Sequence, residues 1–151
     1  MPTYPPRGFS LLEVLVVIAI VAVITTFVSI SITKNVEQLV FNEAVRFRTI
    51  IETVSDRAAI FQRPMIIRLN SKGYKVMEKV HGNWIVLEDN FLGPYEMVKQ
   101  VNSSSSVNEI LINGMGFMMA GKVSFSSINK TENSIIESVV FFDELGRVEI
   151  R

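Results

Sequence analysis

The rhythm of hydrophobic and polar positions changes twice along these 151 residues. A polar, proline-rich start, Met-Pro-Thr-Tyr-Pro-Pro-Arg-Gly over residues 1–8, leads into Phe9-Ser10-Leu11-Leu12-Glu13 and then into twenty residues, Val14 to Thr33, that carry no charge. An apolar run beyond ~18 residues reads as a membrane-crossing helix. From Lys34 onward the apolar residues become periodic: Val36, Leu39, Val40, Ala44, Phe47, Ile50, Ile51, Val54, Ala58 and Phe61 fall at steps of three and four. That spacing is one stripe of an amphipathic helix. Lys34, Glu37, Asn42, Glu43, Arg46, Arg48, Glu52 and Asp56 fill the other positions and read as a solvated face, with Glu43/Arg46 and Arg48/Glu52 spaced to pair across a turn. No proline or glycine interrupts the chain between Phe9 and Arg63, so both halves can form one helix of about 50 residues, on the order of 80 Å long. Arg63-Pro64 stops it, because proline lacks the amide donor and restricts its predecessor.

Beyond Pro64 the period shortens. Met65 to Leu69, Tyr74 to Val80 and Trp84 to Leu87, separated by Asn70-Ser71-Lys72-Gly73 and His81-Gly82-Asn83, predict a β-meander with tight turns. Tyr95 to Val101 is a fourth short run and Asn102 to Ser106 a loop. Val107 to Ile112, Phe117 to Phe125, Ile135 to Phe142 and Val148 to Ile150 supply further strands, punctuated by Gly114, Gly116, Ser126 to Ser134 and Gly146. The expected fold is α+β: a long N-terminal helix, its second half packed on antiparallel β-sheets. The expected segments are a leader at 1–8, a transmembrane half-helix at 9–33, an amphipathic half-helix at 34–63 and a β-rich domain at 64–151.

Composition adds limits rather than a partner. The 15 Lys and Arg balance 15 Asp and Glu, so charge alone asks for neither nucleic acid nor an anionic surface. Losing residues 1–8 would remove Arg7 and leave 14 cations against 15 anions, before the new amino terminus is counted. There is no cysteine, hence no disulfide and no thiolate metal site. Arg7 on the short side of the apolar run favours a cytoplasmic N-terminus.

Catalytic chemistry finds little support. The single histidine, His81, falls in a hairpin turn, and no carboxylates cluster at metal-ligand spacing. Gly114-Met115-Gly116-Phe117-Met118-Met119 lacks the third glycine of a dinucleotide loop and reads as a turn entering a strand. Glu88-Asp89 reads as a turn after a strand. Ser103 to Ser106 have neither a base partner nor the strained elbow of a nucleophile. Trp84 is expected to pack on the helix stripe, and Met115, Met118 and Met119 to fill core space. No enzyme, cofactor, metal or small-molecule substrate is expected.

Glu13 needs a separate explanation. An ionisable side chain inside an apolar helix costs ~2.5–3.5 kcal/mol on insertion scales, and such residues usually mark function. Snorkelling from so near the end of the run would lower that cost, but it gives no reason for a glycine, then a phenylalanine, then a glutamate four residues on.

Gly8-Phe9-Ser10-Leu11-Leu12-Glu13-Val14 resembles the signal of type IV pilins and type II secretion pseudopilins, in which a prepilin peptidase cuts after the glycine and methylates the new terminal phenylalanine. The resemblance implies Gly8 and Phe9 as the processing site. It also implies that Phe9 and Glu13 act in assembly, the carboxylate pairing with the amine of an adjacent subunit. Two buried charges, each costly alone, become tolerable as a pair. Residues 55–69, from Ser55-Asp56-Arg57 to Ile67-Arg68-Leu69, with Gly73-Tyr74 and Gly82-Asn83-Trp84, are similar to the minor pseudopilin H group and its relatives, the FimT minor pilins. Unlike many major subunits, the chain has no proline in Val28 to Ile32, no paired cysteines and no aspartate-rich calcium loop.

The resemblance implies a minor pseudopilin of a type II secretion system, at or near the tip of a periplasmic pseudopilus that drives export of folded proteins. It would sit in the inner membrane by a single pass, its C-terminal domain periplasmic. Expected partners are other pseudopilins through the N-terminal helix, the prepilin peptidase and the inner-membrane assembly platform. The alternative is a FimT-type minor pilin engaged in pilus assembly or DNA uptake. Lys122, Lys130, Arg147 and Arg151 in the last thirty residues are interleaved with Glu132, Glu137, Asp143, Glu144 and Glu149, which argues against a phosphate-binding patch, so no nucleic acid is expected.

Overall fold

The structure, a computed structural model, describes residues 11–129 and 133–151, with the side chains of residues 25–35 outside that description. Helix α1 spans Leu11–Phe61. Nine strands follow: β1 Met65–Asn70, β2 Gly73–Val80, β3 Asn83–Val86, β4 Tyr95–Glu96, β5 Asn102–Ser105, β6 Glu109–Ile112, β7 Gly121–Asn129, β8 Ser134–Phe142 and β9 Val148–Ile150. The chain divides into two compact units, Met1–Asn35 and Val36–Arg151. The expected α+β architecture is the one observed.

In the second unit the periodic stripe of α1 becomes the core except at its last position, Phe61, which is 56% exposed at the helix end. Val40, Ala44, Phe47, Ile50, Ile51, Val54 and Ala58 are all buried. The helix ends as its sequence dictates. Gln62 takes a left-handed φ of 52°, the amide of Arg63 reaches back to the carbonyl of Ala58 at 3.1 Å, and Pro64 follows. This back-bonded closure satisfies a carbonyl that the helix alone would leave open.

Two antiparallel sheets receive the stripe. The first runs β3-β2-β1-β6, with β4 also on β2; the second runs β5-β7-β8-β9. Register sets Met65 against Glu78 and Ile112, and Ile67 against Val76 and Ile110. These residues therefore share the face turned to the helix, while Ile66, Arg68, Lys75 and Met77 point away, as strict alternation requires. Val123, Phe125, Val140, Phe142 and Val148 supply the buried face of the second sheet. Phe47 joins the layers, its ring 5.5 Å from both Tyr74 and Phe125.

His81 (φ 49°) and Gly82 (φ 86°) make the two-residue turn from β2 to β3, where both central residues need positive φ. At the mouth of that sheet, a Cβ built on Gly73 would lie 2.1 Å from the Tyr95 carbonyl oxygen, so β4 can approach β2 only over a glycine.

Several expectations need correction. Asn102–Ser105, read as a loop, is strand β5, paired to β7 from Asn102↔Ser126 to Ser105↔Val123. Its serines carry little β propensity, and the partner strand supplies what local sequence lacks. Of the run from Tyr95 to Val101 only Tyr95–Glu96 is strand; Met97 and Val101 turn inward and close the core instead. Phe117 to Ala120 is not strand either, because Asn113 Oδ1 accepts from the amides of Met115 and Phe117 and holds a turn there. β7 in turn extends to Asn129, through serines read as punctuation.

Candidate functional site

The N-terminal segment is the first candidate. Gly8 and Phe9 lie outside the described residues. Glu13 sits exposed in the first turn of α1, where a negative charge suits the positive end of the helix dipole. All side chains from Leu11 to Ile24 are exposed, and most are apolar. So much contiguous apolar surface marks a lipid or protein contact. Among the described residues no helix is long and apolar enough to cross a membrane. The charge-free run continues beyond Ile24 into residues whose side chains are not described.

Within the second unit, a polar clasp holds the segment after β4 against the helix. Glu43 is 5% exposed. Its Oε1 accepts from the Tyr95 hydroxyl at 3.0 Å and from the Val98 amide at 3.2 Å. Oε2 is buried and, among the described residues, has no hydrogen-bond partner. One turn on, Arg46 Nε donates to the Tyr74 hydroxyl at 3.0 Å, and its guanidinium lies 3.9 Å from the centre of the Tyr95 ring. Burial pushes the Tyr74 phenol up to about 12 in spite of that arginine. Tyr95 is likewise raised, by burial first and then by its bond to Glu43.

The solvated face read for Glu43 and Arg46 is therefore wrong. They do not pair with each other across the turn; both turn inward to tyrosines. Arg48 and Glu52 do form the expected exposed pair, at 2.9 Å. The missed signal was the position of Glu43, three residues after Val40 and four before Phe47. That is a core-facing slot on a 3.6-residue helix.

A second buried carboxylate, Glu78, occupies the inner face of β2 near the helix end. Arg63 Nη1 meets it at 2.8 Å and Arg57 Nη2 at 3.7 Å. Arg57 also reaches Asp89 at 3.5 Å. Asp89 is held below the usual carboxylate range first by the Leu92 amide and then by the Phe91 amide and Arg57. These contacts tie β2 and the turn at Asp89 to the end of the helix. They bring together charges that the sequence shows only as separate residues.

His81 is an exposed turn residue, and no three His, Cys, Asp or Glu among the described residues are placed to hold a metal. Ser103 Oγ donates to the Asn70 carbonyl, while Ser105 and Ser106 donate to that of Lys122; these hydroxyls pin strands. A cleft of about 460 Å³ beside Met97, Val98, Lys72 and Lys99 contains no base and nucleophile in contact. Trp84, expected in the core, lies 36% exposed on the outer face beside Lys79, because register pairs it with Lys79 on the side of β2 turned away from α1. Met118 is buried as expected; Met115 and Met119 are exposed.

Comparison with known proteins places these features in context. Residues 6–29 match the model of the prokaryotic N-terminal methylation motif. No curated protein matches the sequence. Two solved structures of the minor pseudopilin EpsH from the type 2 secretion system of Vibrio cholerae resemble this chain. One has a TM-score of 0.61 and 10% identity, over 72% of this chain and 93% of that one. The other has a TM-score of 0.62 and 9% identity, over 76% and 94%. The type IV minor pilin FimU of Pseudomonas aeruginosa is similar with a TM-score of 0.53 and 10% identity, over 81% and 92%. At such identities the likeness is one of fold.

Proposed function

We propose, from a methylation motif and a fold that are those of the type IV pilin-like superfamily, that this chain is a minor pseudopilin of a type II secretion system. The observation that carries the reading is the union of the two features in one chain. The motif at residues 6–29 leads directly into a helix whose later turns are clasped by an EpsH-like pair of sheets. Such a subunit does no chemistry. Its helix anchors and packs, and its sheets present surfaces.

On this reading residues 9–33 wait in the inner membrane with the N-terminus cytoplasmic, after prepilin peptidase has cut behind Gly8 and methylated Phe9. The charge-free run from Val14 to Thr33 is long enough to span a bilayer core of ~30 Å at 1.5 Å per residue. Residues 34–151 stand in the periplasm. Glu13 pairs with the amine of a neighbouring pseudopilin, so that leaving the membrane and docking on the filament become one event. The assembly platform and the other pseudopilins are the partners.

Coexpression with a prepilin peptidase tests the processing step. The product should begin at an N-methylated Phe9, and a Gly8→Val variant should keep its leader. A mature terminus elsewhere, or normal processing of the variant, would defeat it. Deleting the gene should then abolish secretion of folded exoproteins and spare DNA uptake.

The likeness to FimU supports a second reading, a minor pilin of a type IV pilus. Its test is the reverse phenotype: loss of pili or of DNA uptake with secretion intact.

A further inference from the structure

The face of the first sheet that turns away from α1 is not an ordinary polar surface. Register places Leu111, Ile66, Met77 and Val86 in one row across β6, β1, β2 and β3. Such cross-strand neighbours interact directly. Trp84 extends this apolar band at one edge, paired with Lys79. Around it stand Arg68, Lys75 and Lys79 against Glu109 and Glu96, the last set opposite Gly73. Arg68 is bonded to Glu109 at 2.6 Å, and no ion pair engages Lys75 or Lys79 among the described residues. Three cations against two anions, with Arg68 and Glu109 already paired, give this face a local excess of one positive charge, carried by Lys75 and Lys79.

The outward stripe of α1 has the opposite character. Glu37, Phe41, Val45, Arg48, Glu52 and Asp56 follow one another at steps of four and three, so they line one side of the helix. Phe41 and Val45 are 51% and 38% exposed and stand outside the buried cluster. Arg48 is paired to Glu52, leaving Glu37 and Asp56 without ion pairs among the described residues. The stripe therefore holds an apolar pair between acids, three anions against one cation.

We propose that the outer face of the first sheet docks the Glu37–Asp56 stripe of α1 from a second copy of this chain. The match is one of sign and of apolar content together: Phe41 and Val45 against Leu111 and Met77, which flank the buried Ile66, and the acids against Lys75 and Lys79. The second sheet is a poorer candidate for the same role. On its outer face Lys122 and Arg151 stand against Glu137 and Glu149, with Arg151 already 3.2 Å from Glu149. The contact is heterologous, sheet face to helix face, and such contacts repeat head to tail rather than closing into a two-fold dimer. It needs only two copies side by side, and so goes beyond the assignment to secretion or pilus.

The absence of cysteine makes the test direct. Full-length Met77→Cys and Val45→Cys chains, coexpressed in cells and oxidised, should form a disulfide-linked dimer. Either variant alone should not, and Ser126→Cys with Val45→Cys should not. Trp84→Cys serves as a second sheet-side position should Met77→Cys be poorly folded. Lys75→Glu with Lys79→Glu should cut the crosslink about tenfold, and Glu37→Lys with Asp56→Lys in the other copy should restore it. Dimers from Met77→Cys alone would mean a sheet-to-sheet contact and overturn the proposal. So would no dimer from either sheet-side position, crosslinking only to a different subunit, or DNA binding lost in the Lys75→Glu/Lys79→Glu chain without any crosslink.

Discussion

The hydroxyl of Tyr95 and the Oε1 of Glu43, 52 residues apart in the chain, lie 3.0 Å apart, and this one bond decides how the segment after β4 meets the helix. The same oxygen takes the Val98 amide. Replacing Glu43 by Ala leaves two inward-facing donors without an acceptor, at a cost of about 1–3 kcal/mol each before any water enters. We expect Glu43→Ala to destabilise the 36–151 unit by about 2–3 kcal/mol in urea unfolding, and Glu43→Gln by about half as much, since its amide oxygen still accepts. Equal losses in the two variants would show that charge, not the acceptor, holds the segment.

Alkaline pH should loosen the same corner. Tyr74 ionises at about 12 in the folded chain against an ordinary 10. Between those values the folded form keeps a proton that the unfolded form has released, so stability falls as pH rises. The contribution is whole below pH 10 and is lost as pH climbs through 12; two units correspond to about 2–3 kcal/mol. Absorbance titration at the phenolate band of the 36–151 unit, which contains only Tyr74 and Tyr95, should show late ionisation. Tyr74→Phe should flatten the fall in stability above pH 10. An unchanged slope would remove Tyr74 as its source.

Glu78 gives an asymmetric prediction. It is buried, while Arg63 and Arg57 retain contact with solvent. Losing both arginines strands a carboxylate in the core, at about 3–5 kcal/mol, whereas Glu78→Gln frees two cations that water can reach. The Arg57→Ala/Arg63→Ala pair should therefore lower the urea midpoint more than Glu78→Gln does. The opposite order would place the cost on the arginines.

Gly73→Ala should be damaging although Gly73 has no unusual φ. The added methyl would meet the Tyr95 carbonyl at 2.1 Å, and backbone must move on one side. A loss of about 2 kcal/mol or more is expected from such overpacking, together with faster amide exchange at Met97, whose N–H bonds to Lys72. A neutral variant would show that β4 slides freely.

What the sequence made legible followed from strong periodicity. The stripe from Val40 to Ala58, the stop at Pro64 and the hairpin at His81-Gly82 each rest on local geometry, and each is present. The misses share another cause. Asn102–Ser105 becomes a strand because β7 offers it a partner, and Glu43 turns inward because Tyr95 arrives from 52 residues away. Trp84 stays out because its register opposite Lys79 puts it on the sheet face turned away from the helix. Charges are the hardest to place from spacing, since burial depends on which distant donors reach them. The methylation motif was the reverse case, legible at once because it is a contiguous run of residues that needs no distant partner.

Glu13 lies four residues ahead of Val17, at the head of a run that stays charge-free to Thr33. Its place in the first turn makes the carboxylate tolerable to the helix, but a lipid surround would still charge ~2.5–3.5 kcal/mol for it unless a cation answers. If that cation is the terminal amine of an adjacent subunit, Glu13→Ala should enter the membrane at least as well as the parent and fail afterwards. Extraction of membranes with carbonate should retain the variant fully. Crosslinking through cysteines placed near residue 20 in two neighbouring pseudopilins should drop severalfold, and a Glu13→Asp chain should recover part of it. Undiminished crosslinking in Glu13→Ala would mean that the apolar turns alone set the docking, leaving the carboxylate some role outside the filament.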